Sequence, residues 1–200
     1  LMEELGIFTI GSREKDTGAN APDYYNLVKR GYRFYIDECR KQIASLDNVD
    51  VDALGRKNTW ESFIIVMEAI IDHAHRYADL AEKMSAECSN AERRQQLLTI
   101  AENCRTVPEH PPKNFHQATQ LVWFTHLAFM LEGNGHNHCL GRFDQYMYPF
   151  YQADLKNGVS EDFISDLVNE LKLKVSEIKI YRPAMEAQSY AGCPLWMHMF

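Results

Sequence analysis

One segment, residues 115–131, constrains the fold of this chain more than any other. Its spacing predicts a helix that is apolar nearly all the way round and is capped by Asn114. Such a helix has almost no face to present to water, so it must be buried inside something larger. Its most apolar run, Leu121 to Leu131, is interrupted by Thr125 and His126 and is too short to cross a bilayer. We therefore expect a central helix of a globular domain.

The composition excludes several classes of protein. The chain has 200 residues, enough for a real core, and its 21 basic and 28 acidic residues give a net charge of −7. A protein that binds nucleic acid or an anionic membrane would show a basic patch instead. The five cysteines are widely spaced and form no CxxC pair, which favours a reducing cytoplasm over a disulfide framework.

Hydrophobic periodicity predicts six helices. The strongest signal is a stripe at alternating four- and three-residue steps from Trp60 to Ala81. A second stripe comprises Phe163, Leu167, Leu171, Val175 and Ile178. The first helix is expected to follow Asp23 and to end at about Leu46, and the second to run from an N-cap at Thr59 to a turn at Cys88–Asn90. A shorter helix is expected from there to the break at Pro108, and a fourth over Phe115–Leu131. The fifth is expected from Phe143 to Asn157, with Pro149 as a point that could interrupt it, and the sixth after an N-cap at Ser160.

The segment between two of these helices, Glu132–Arg142, is rich in glycine and polar groups and is expected to be non-helical. Gly133, Gly135 and Gly141 allow tight turns, and between them lie two imidazoles, two amides and a thiol. Polar groups that follow a buried helix need either protein partners or a ligand. Both a binding pocket and a satisfied turn at the helix end fit this composition.

The alternation of side chains limits how this segment could act. If it is extended, His136 and His138 share one face, whereas Asn137 and Cys139 share the other. His136 and Asn137 could then meet one ligand only if the backbone bends, which the neighbouring glycines permit.

Other polar clusters favour structural interpretations. His73 and His75 lie two positions apart and point to different sides of a helix, which disfavours a metal site. His126 is expected to be a satisfied core histidine. The aromatic residues that follow the glycine-rich segment are expected to pack a helix: Phe143, Tyr146, Tyr148, Phe150 and Tyr151.

Several stretches together resemble the glycyl radical enzymes, the pyruvate formate-lyase-like family. The most specific is Gly141–Tyr151, which reads Gly-Arg-Phe-Asp-Gln-Tyr-Met-Tyr-Pro-Phe-Tyr. The others, in the same order and spacing as in the family, are Pro22–Tyr24, His75–Ala78, Ala101–Pro108, Pro111–Ala118, Leu121–Phe124 and Asn134–His136.

This resemblance implies an α/β fold, the ten-stranded glycyl radical enzyme barrel wrapped by helices. Residues 1–200 would form an incomplete part of a single pyruvate formate-lyase-like domain, mainly helical, with one short barrel strand near 134–142. The radical-bearing C-terminal part, with its glycine and its thiyl cysteine, would lie outside this internal fragment. Cys193 does not match the thiyl cysteine, because Pro194 and Leu195 follow it where the family has a Glu two residues on.

The resemblance also implies the chemistry. A glycyl radical generates a thiyl radical, which abstracts hydrogen from a small substrate so that a C–O, C–C, C–N or C–S bond breaks; dehydratase and decarboxylase branches fit best. A separate activating enzyme, using S-adenosylmethionine and an iron–sulfur cluster, installs the radical in an anaerobic cytoplasm. No cofactor or metal is expected on this chain, nor any nucleic acid or membrane partner, and a homodimer is expected for the full-length enzyme.

Two residues, His136 and Asn137, match the position where diol-dehydrating members place His-Ser against the substrate, and we expect them to bind substrate. No catalytic residue is expected in this chain, which alone should be inactive. Ala19 stands where those relatives carry a second substrate-contacting His. A different interpretation also stays open, that of an inert helical scaffold derived from such an enzyme, and the reading frame downstream of Phe200 would distinguish the two.

Overall fold

The computed structural model describes residues 19–47, 51–133 and 137–178, and this part of the chain is mainly helical. It contains two strands of two residues each and six helices. In chain order these are β1 (Ala19–Asn20), α1 (Tyr24–Ala44), α2 (Ala53–Glu87), α3 (Ala91–Thr106), α4 (Phe115–Gly133), β2 (Asn137–His138), α5 (Phe143–Lys156) and α6 (Glu161–Glu177).

The chain divides into two compact units. One comprises residues Tyr25–Phe124, and the other comprises Leu1–Tyr24 together with Thr125–Phe200. In the first unit, α2 and α3 form a helical hairpin because only three residues separate them. Small side chains let the two helices approach closely. Together with the ring of Phe124 these side chains form one buried cluster: Ala74, Ala78, Ala81, Ala101 and Cys104.

A break at Gly31 divides α1 and joins it to the segment after α3. Gly31 has φ 67° and ψ 171°, so the helical hydrogen bonds stop there. The N–H groups of Tyr32 and Arg33 instead donate to the carbonyl oxygens of Pro108 and Glu109, both at 2.9 Å. The exchange gives partners to two donors that the break would otherwise leave without helical hydrogen bonds.

Glu109 strengthens the same junction through its side chain. Arg33 donates from Nε and Nη2 to Oε1 of Glu109 at 2.9 and 2.6 Å, which raises the pKa of the Arg33 guanidinium above its ordinary value. Nε2 of His75, on α2, lies 3.4 Å from the other carboxylate oxygen. One carboxylate therefore links α1, α2 and the segment after α3.

The helix termini confirm several sequence predictions. The side chains of Asn114 and Ser160, both predicted N-caps, each accept a hydrogen bond from a backbone N–H three residues later. Asn90, predicted only as part of a turn, caps α3 in the same way. Asn157 ends α5, and Gly158 follows with φ 85°, as the Asn-Gly pair predicts.

Thr59 was the wrong N-cap for α2. The helix begins at Ala53, and the Thr59 hydroxyl donates to the Gly55 carbonyl oxygen inside it. The connector between α1 and α2 is therefore shorter than the expected helix bounds imply.

Two other boundaries also differ from the sequence predictions. The buried stripe of α6 begins at Ile164, while Phe163 is exposed. The fourth helix continues to Gly133, inside the segment expected to be non-helical. Pro149 does not interrupt α5, which is continuous.

Helix α4 is buried over most of its length, as its composition predicts, but Leu131 near its end is 71% exposed. Its fully or nearly fully buried side chains include polar ones, and His126 is only 1% exposed. Of the described helices, none has the length and apolar character needed to cross a membrane. The strand β2 lies within the range 134–142 where a strand is expected, although the barrel itself remains a prediction.

Gly31 provides a direct test of the junction between α1 and the segment after α3. A Cβ at this position would lie 2.6 Å from the Glu109 carbonyl oxygen, and the positive φ is strained for any L-residue. We expect Gly31→Ala to lower the free energy of unfolding of the complete protein by roughly 3 kcal/mol. The measurement is the midpoint of urea unfolding.

Gly55→Ala is the matched control, because Gly55 lies inside α2 with nothing within 4 Å of an added Cβ. It should be neutral or stabilise the protein by up to about 1 kcal/mol. Equal midpoints for the two variants would contradict the role assigned to the break.

Candidate functional site

The two short strands bring together segments that lie far apart in the chain. β1 and β2 pair in parallel, with Ala19 opposite Asn137 and Asn20 opposite His138. The helices α1 to α4 lie between them in sequence. This pairing is the only sheet among the residues that the structure describes.

The pairing joins two positions that the sequence resemblance singles out separately. By the sequence resemblance, Ala19 is predicted to occupy the position of a substrate-contacting His, and Asn137 is predicted to bind substrate. Their backbones are direct register partners. His136, the other assigned residue, lies outside the described residues, so its role and that of the Asn137 side chain stay predictions.

A defined turn follows β2. Gly141 adopts φ 61°, its N–H donates to Sγ of Cys139 at 3.2 Å, and its carbonyl oxygen accepts from the N–H of Phe143 at 2.8 Å. A positive φ at this point is readily adopted only by glycine. The described turn therefore lies after the strand, at Gly141, whereas the bend that would bring His136 and Asn137 to one ligand stays a prediction, because His136 lies outside the described residues.

An ion pair closes the same turn on its outer side. The Arg142 guanidinium donates to both carboxylate oxygens of Asp144, at 3.1 and 2.9 Å. This hydrogen bonding lowers the pKa of Asp144. Both side chains are exposed, so the pair shapes the turn and contributes little to stability.

A buried aromatic stack lies beneath the turn, and the sequence analysis missed its connection to β1. The rings of Tyr24 and Tyr146 stack with centroids 5.7 Å apart and an interplanar angle of 23°. The Tyr146 hydroxyl donates to the Leu140 carbonyl oxygen at 3.0 Å. The sequence predicts helix packing for Tyr146, which is buried as expected, but it does not predict the distant partner. Tyr148, from the same predicted set, is instead 53% exposed.

The other candidate clusters occupy structural positions. His73 packs its ring against Tyr77 and Phe124, at centroid distances of 5.0 and 6.4 Å. His75 faces Glu109 instead, so the two histidines do point to different sides of α2. An open depression at the start of α2 is lined by Asp52, Arg56 and Trp60 among others, and it contains no residue assigned to the site.

The cysteines of the described residues form no disulfide. Burial raises the pKa of the Cys104 thiol to about 11, so it packs as a small apolar group. Cys193 lies outside the described residues.

Comparison with known proteins places this arrangement in a family. The family model "Pyruvate formate lyase-like" matches residues 1–200. Isethionate sulfite-lyase of Oleidesulfovibrio alaskensis is 39% identical over 149 residues, which is 73% of this chain and 18% of the relative. The probable dehydratase YbiW of Escherichia coli K12 is 30% identical over 175 residues, which is 86% of this chain and 22% of the relative.

A solved structure shows the same fold. The glycerol-bound form of the B12-independent glycerol dehydratase from Clostridium butyricum matches with a TM-score of 0.86 and 31% identity, over 92% of this chain and 23% of that one. The chain thus spans about a fifth of the length of the relatives it matches. On these findings the chain belongs to the pyruvate formate lyase-like family of glycyl radical enzymes.

Proposed function

We propose that the complete protein is an anaerobic glycyl radical lyase that cleaves a C–O, C–C, C–N or C–S bond of a small substrate, with dehydration or decarboxylation favoured. The observation that carries this proposal is the pairing of Ala19 with Asn137 in a chain that matches the family model over all 200 residues. In such an enzyme the substrate loses a hydrogen atom to a cysteine thiyl radical, so that its C–H bond breaks and an S–H bond forms. Both radical positions belong to parts of the protein outside this chain.

The contribution of this chain is a wall of the substrate pocket. We assign β1, β2 and the turn after β2 to one part of the barrel and its rim, and residues 1–200 to an incomplete part of a single domain. His136 would accept or donate a hydrogen bond to the substrate, and Asn137 would supply an amide. Neither residue needs to react itself, because binding and orientation already lower the barrier for hydrogen abstraction.

An exposed apolar stripe on α2 supports a larger domain around these residues. The stripe consists of two groups with three- and four-residue steps on one helical face, separated by eleven positions, and its side chains are about half exposed: Phe63 and Val66, then Tyr77, Leu80 and Met84. Large apolar side chains in such a row are normally covered in a finished domain. Further support for a larger domain comes from the lengths of the relatives.

The wider setting follows from the same proposal. A separate activating enzyme, using S-adenosylmethionine and an iron–sulfur cluster, would install the glycyl radical. The enzyme would act as a homodimer in the cytoplasm, without nucleic acid or membrane partners, and residues 1–200 would bind no cofactor of their own.

Activation of the complete protein tests this function. We expect anaerobic treatment with an activating enzyme, S-adenosylmethionine and a reductant to give the electron paramagnetic resonance doublet of a glycyl radical. The activated protein should then convert at least one substrate of a panel drawn from the relatives: glycerol, 1,2-propanediol, isethionate, trans-4-hydroxy-L-proline and indoleacetate. A full radical signal with no turnover of any panel member would contradict the proposed substrate classes, and no radical at all would contradict the enzyme class.

Substitution of the two assigned residues tests the pocket wall. His136→Ala and Asn137→Ala should each lower kcat/KM for the best panel substrate by about 10- to 100-fold, the effect of losing one substrate hydrogen bond. The radical content should be unchanged. Gln145→Ala, an exposed position on the neighbouring helix, is the control and should retain normal kinetics. Unaltered kcat/KM in both site variants would remove these residues from the site.

Ala19 tests the substrate preference. An alanine in place of the second histidine leaves room for a bulkier or less polar substrate and removes a hydrogen bond to a diol. We expect weak turnover of glycerol and 1,2-propanediol, and Ala19→His should raise kcat/KM for these diols by about 10-fold. Ala21→His, at an exposed position two residues later, is the control and should leave kcat/KM for the diols unchanged. Strong glycerol turnover by the natural sequence would refute this preference.

A further inference from the structure

The β1–β2 pairing is too short to fix its own register. Each strand has two residues, and a pair this small is marginal on its own. A slip of one residue would lose little backbone pairing, yet it would place Ala19 opposite His136 or His138 instead of Asn137. It would also move every side chain of one strand to the opposite face. Something outside the strands must therefore determine which residues meet.

The stacked tyrosines follow the two strands closely in the chain. Tyr24 lies four positions after Asn20, and Tyr146 lies eight positions after His138. Both rings are nearly inaccessible to solvent, at 2% and 5% exposure. Because the stack is buried and both partners are close in sequence to a strand, its position limits how far one strand can slide past the other.

Both tyrosines are themselves held in place. The Tyr24 N–H donates to the Pro22 carbonyl oxygen at 2.7 Å, which fixes the turn between β1 and α1. Phe143 packs its ring against Tyr146 at 5.6 Å and 75°, and Leu140, whose carbonyl oxygen Tyr146 binds, is fully buried. Burial raises the pKa of the Tyr146 phenol, which therefore remains a protonated donor at working pH.

We infer that Tyr24 and Tyr146 are positioning residues that set the register of β1 against β2 and thereby the shape of the substrate wall. This inference rests on the proposed function. The pair acts through the strands: Tyr24 locates the end of β1, and the bond from Tyr146 to Leu140 locates the end of β2. Together they keep position 19 opposite position 137.

The test uses the complete, activated enzyme and the panel substrate that the natural sequence converts best. Tyr24→Leu and Tyr146→Leu remove the stack and should raise KM at least 10-fold, with normal radical content. Tyr24→Phe keeps the ring, and its KM should lie within about threefold of that of the natural sequence. Tyr146→Phe keeps the stack but loses the hydrogen bond to Leu140, so its KM should lie between that of Tyr24→Phe and that of the Leu variants.

Tyr148→Leu is the matched control. Tyr148 lies on the same helix and also stacks on a tyrosine, Tyr151, at 6.2 Å and 24°, but it is 53% exposed. This substitution should leave KM unchanged. Normal KM in both Leu variants, or a loss of radical content and kcat with KM unaltered, would overturn the inference and leave the stack a merely structural feature.

A second measurement separates this inference from the proposed function. Amide hydrogen exchange of the complete protein, without substrate, should accelerate in peptides covering 19–21 and 137–141 for Tyr24→Leu and Tyr146→Leu, and not for Tyr148→Leu. Unchanged exchange in those peptides would overturn the inference even if the natural enzyme is active. Accelerated exchange in a protein that converts no panel substrate would support the role of the stack and contradict the proposed function alone.

Discussion

The backbone contact at Gly31 is the constraint on which the unit Tyr25–Phe124 depends. A helix that breaks inside a protein exposes donors that water cannot reach, and here the carbonyl oxygens of Pro108 and Glu109 accept them. The approach is so close that no side chain fits at residue 31. The Glu109 carboxylate then adds contacts to Arg33 and His75. Gly31 and Glu109 thus connect α1, α2 and the segment after α3.

Features that depend on neighbouring residues could be predicted from the sequence. Asn114 and Ser160 cap helices because a short polar side chain reaches a backbone N–H three residues away, whatever the rest of the fold does. Thr59 failed as a cap because the residues before it, including Ala53 and Leu54, are themselves good helix formers and extend α2 upstream. Phe163 and Ile164 both lie within one turn of Leu167, so the pattern alone could not decide which is buried.

Features that depend on distant residues could be predicted from the sequence only in part. The resemblance identified the segments around Ala19 and Asn137, yet it did not show that they are register partners, since strand pairing depends on tertiary packing and not on local spacing. The Tyr24–Tyr146 stack was missed for the same reason. Periodicity identifies which face of a helix is buried, but it carries no information on which distant ring covers that face.

The parallel pairing of β1 and β2 has a consequence for the order of folding. Parallel strands need a crossover connection, and in this chain the crossover consists of four helices. A contact with so large a sequence separation carries a high loop-closure entropy, so it forms after the local helices have closed most of that distance. During synthesis the segment around Ala19 emerges long before its partner strand. The proposed substrate wall is therefore expected to form late in folding, after the helices that connect its two strands.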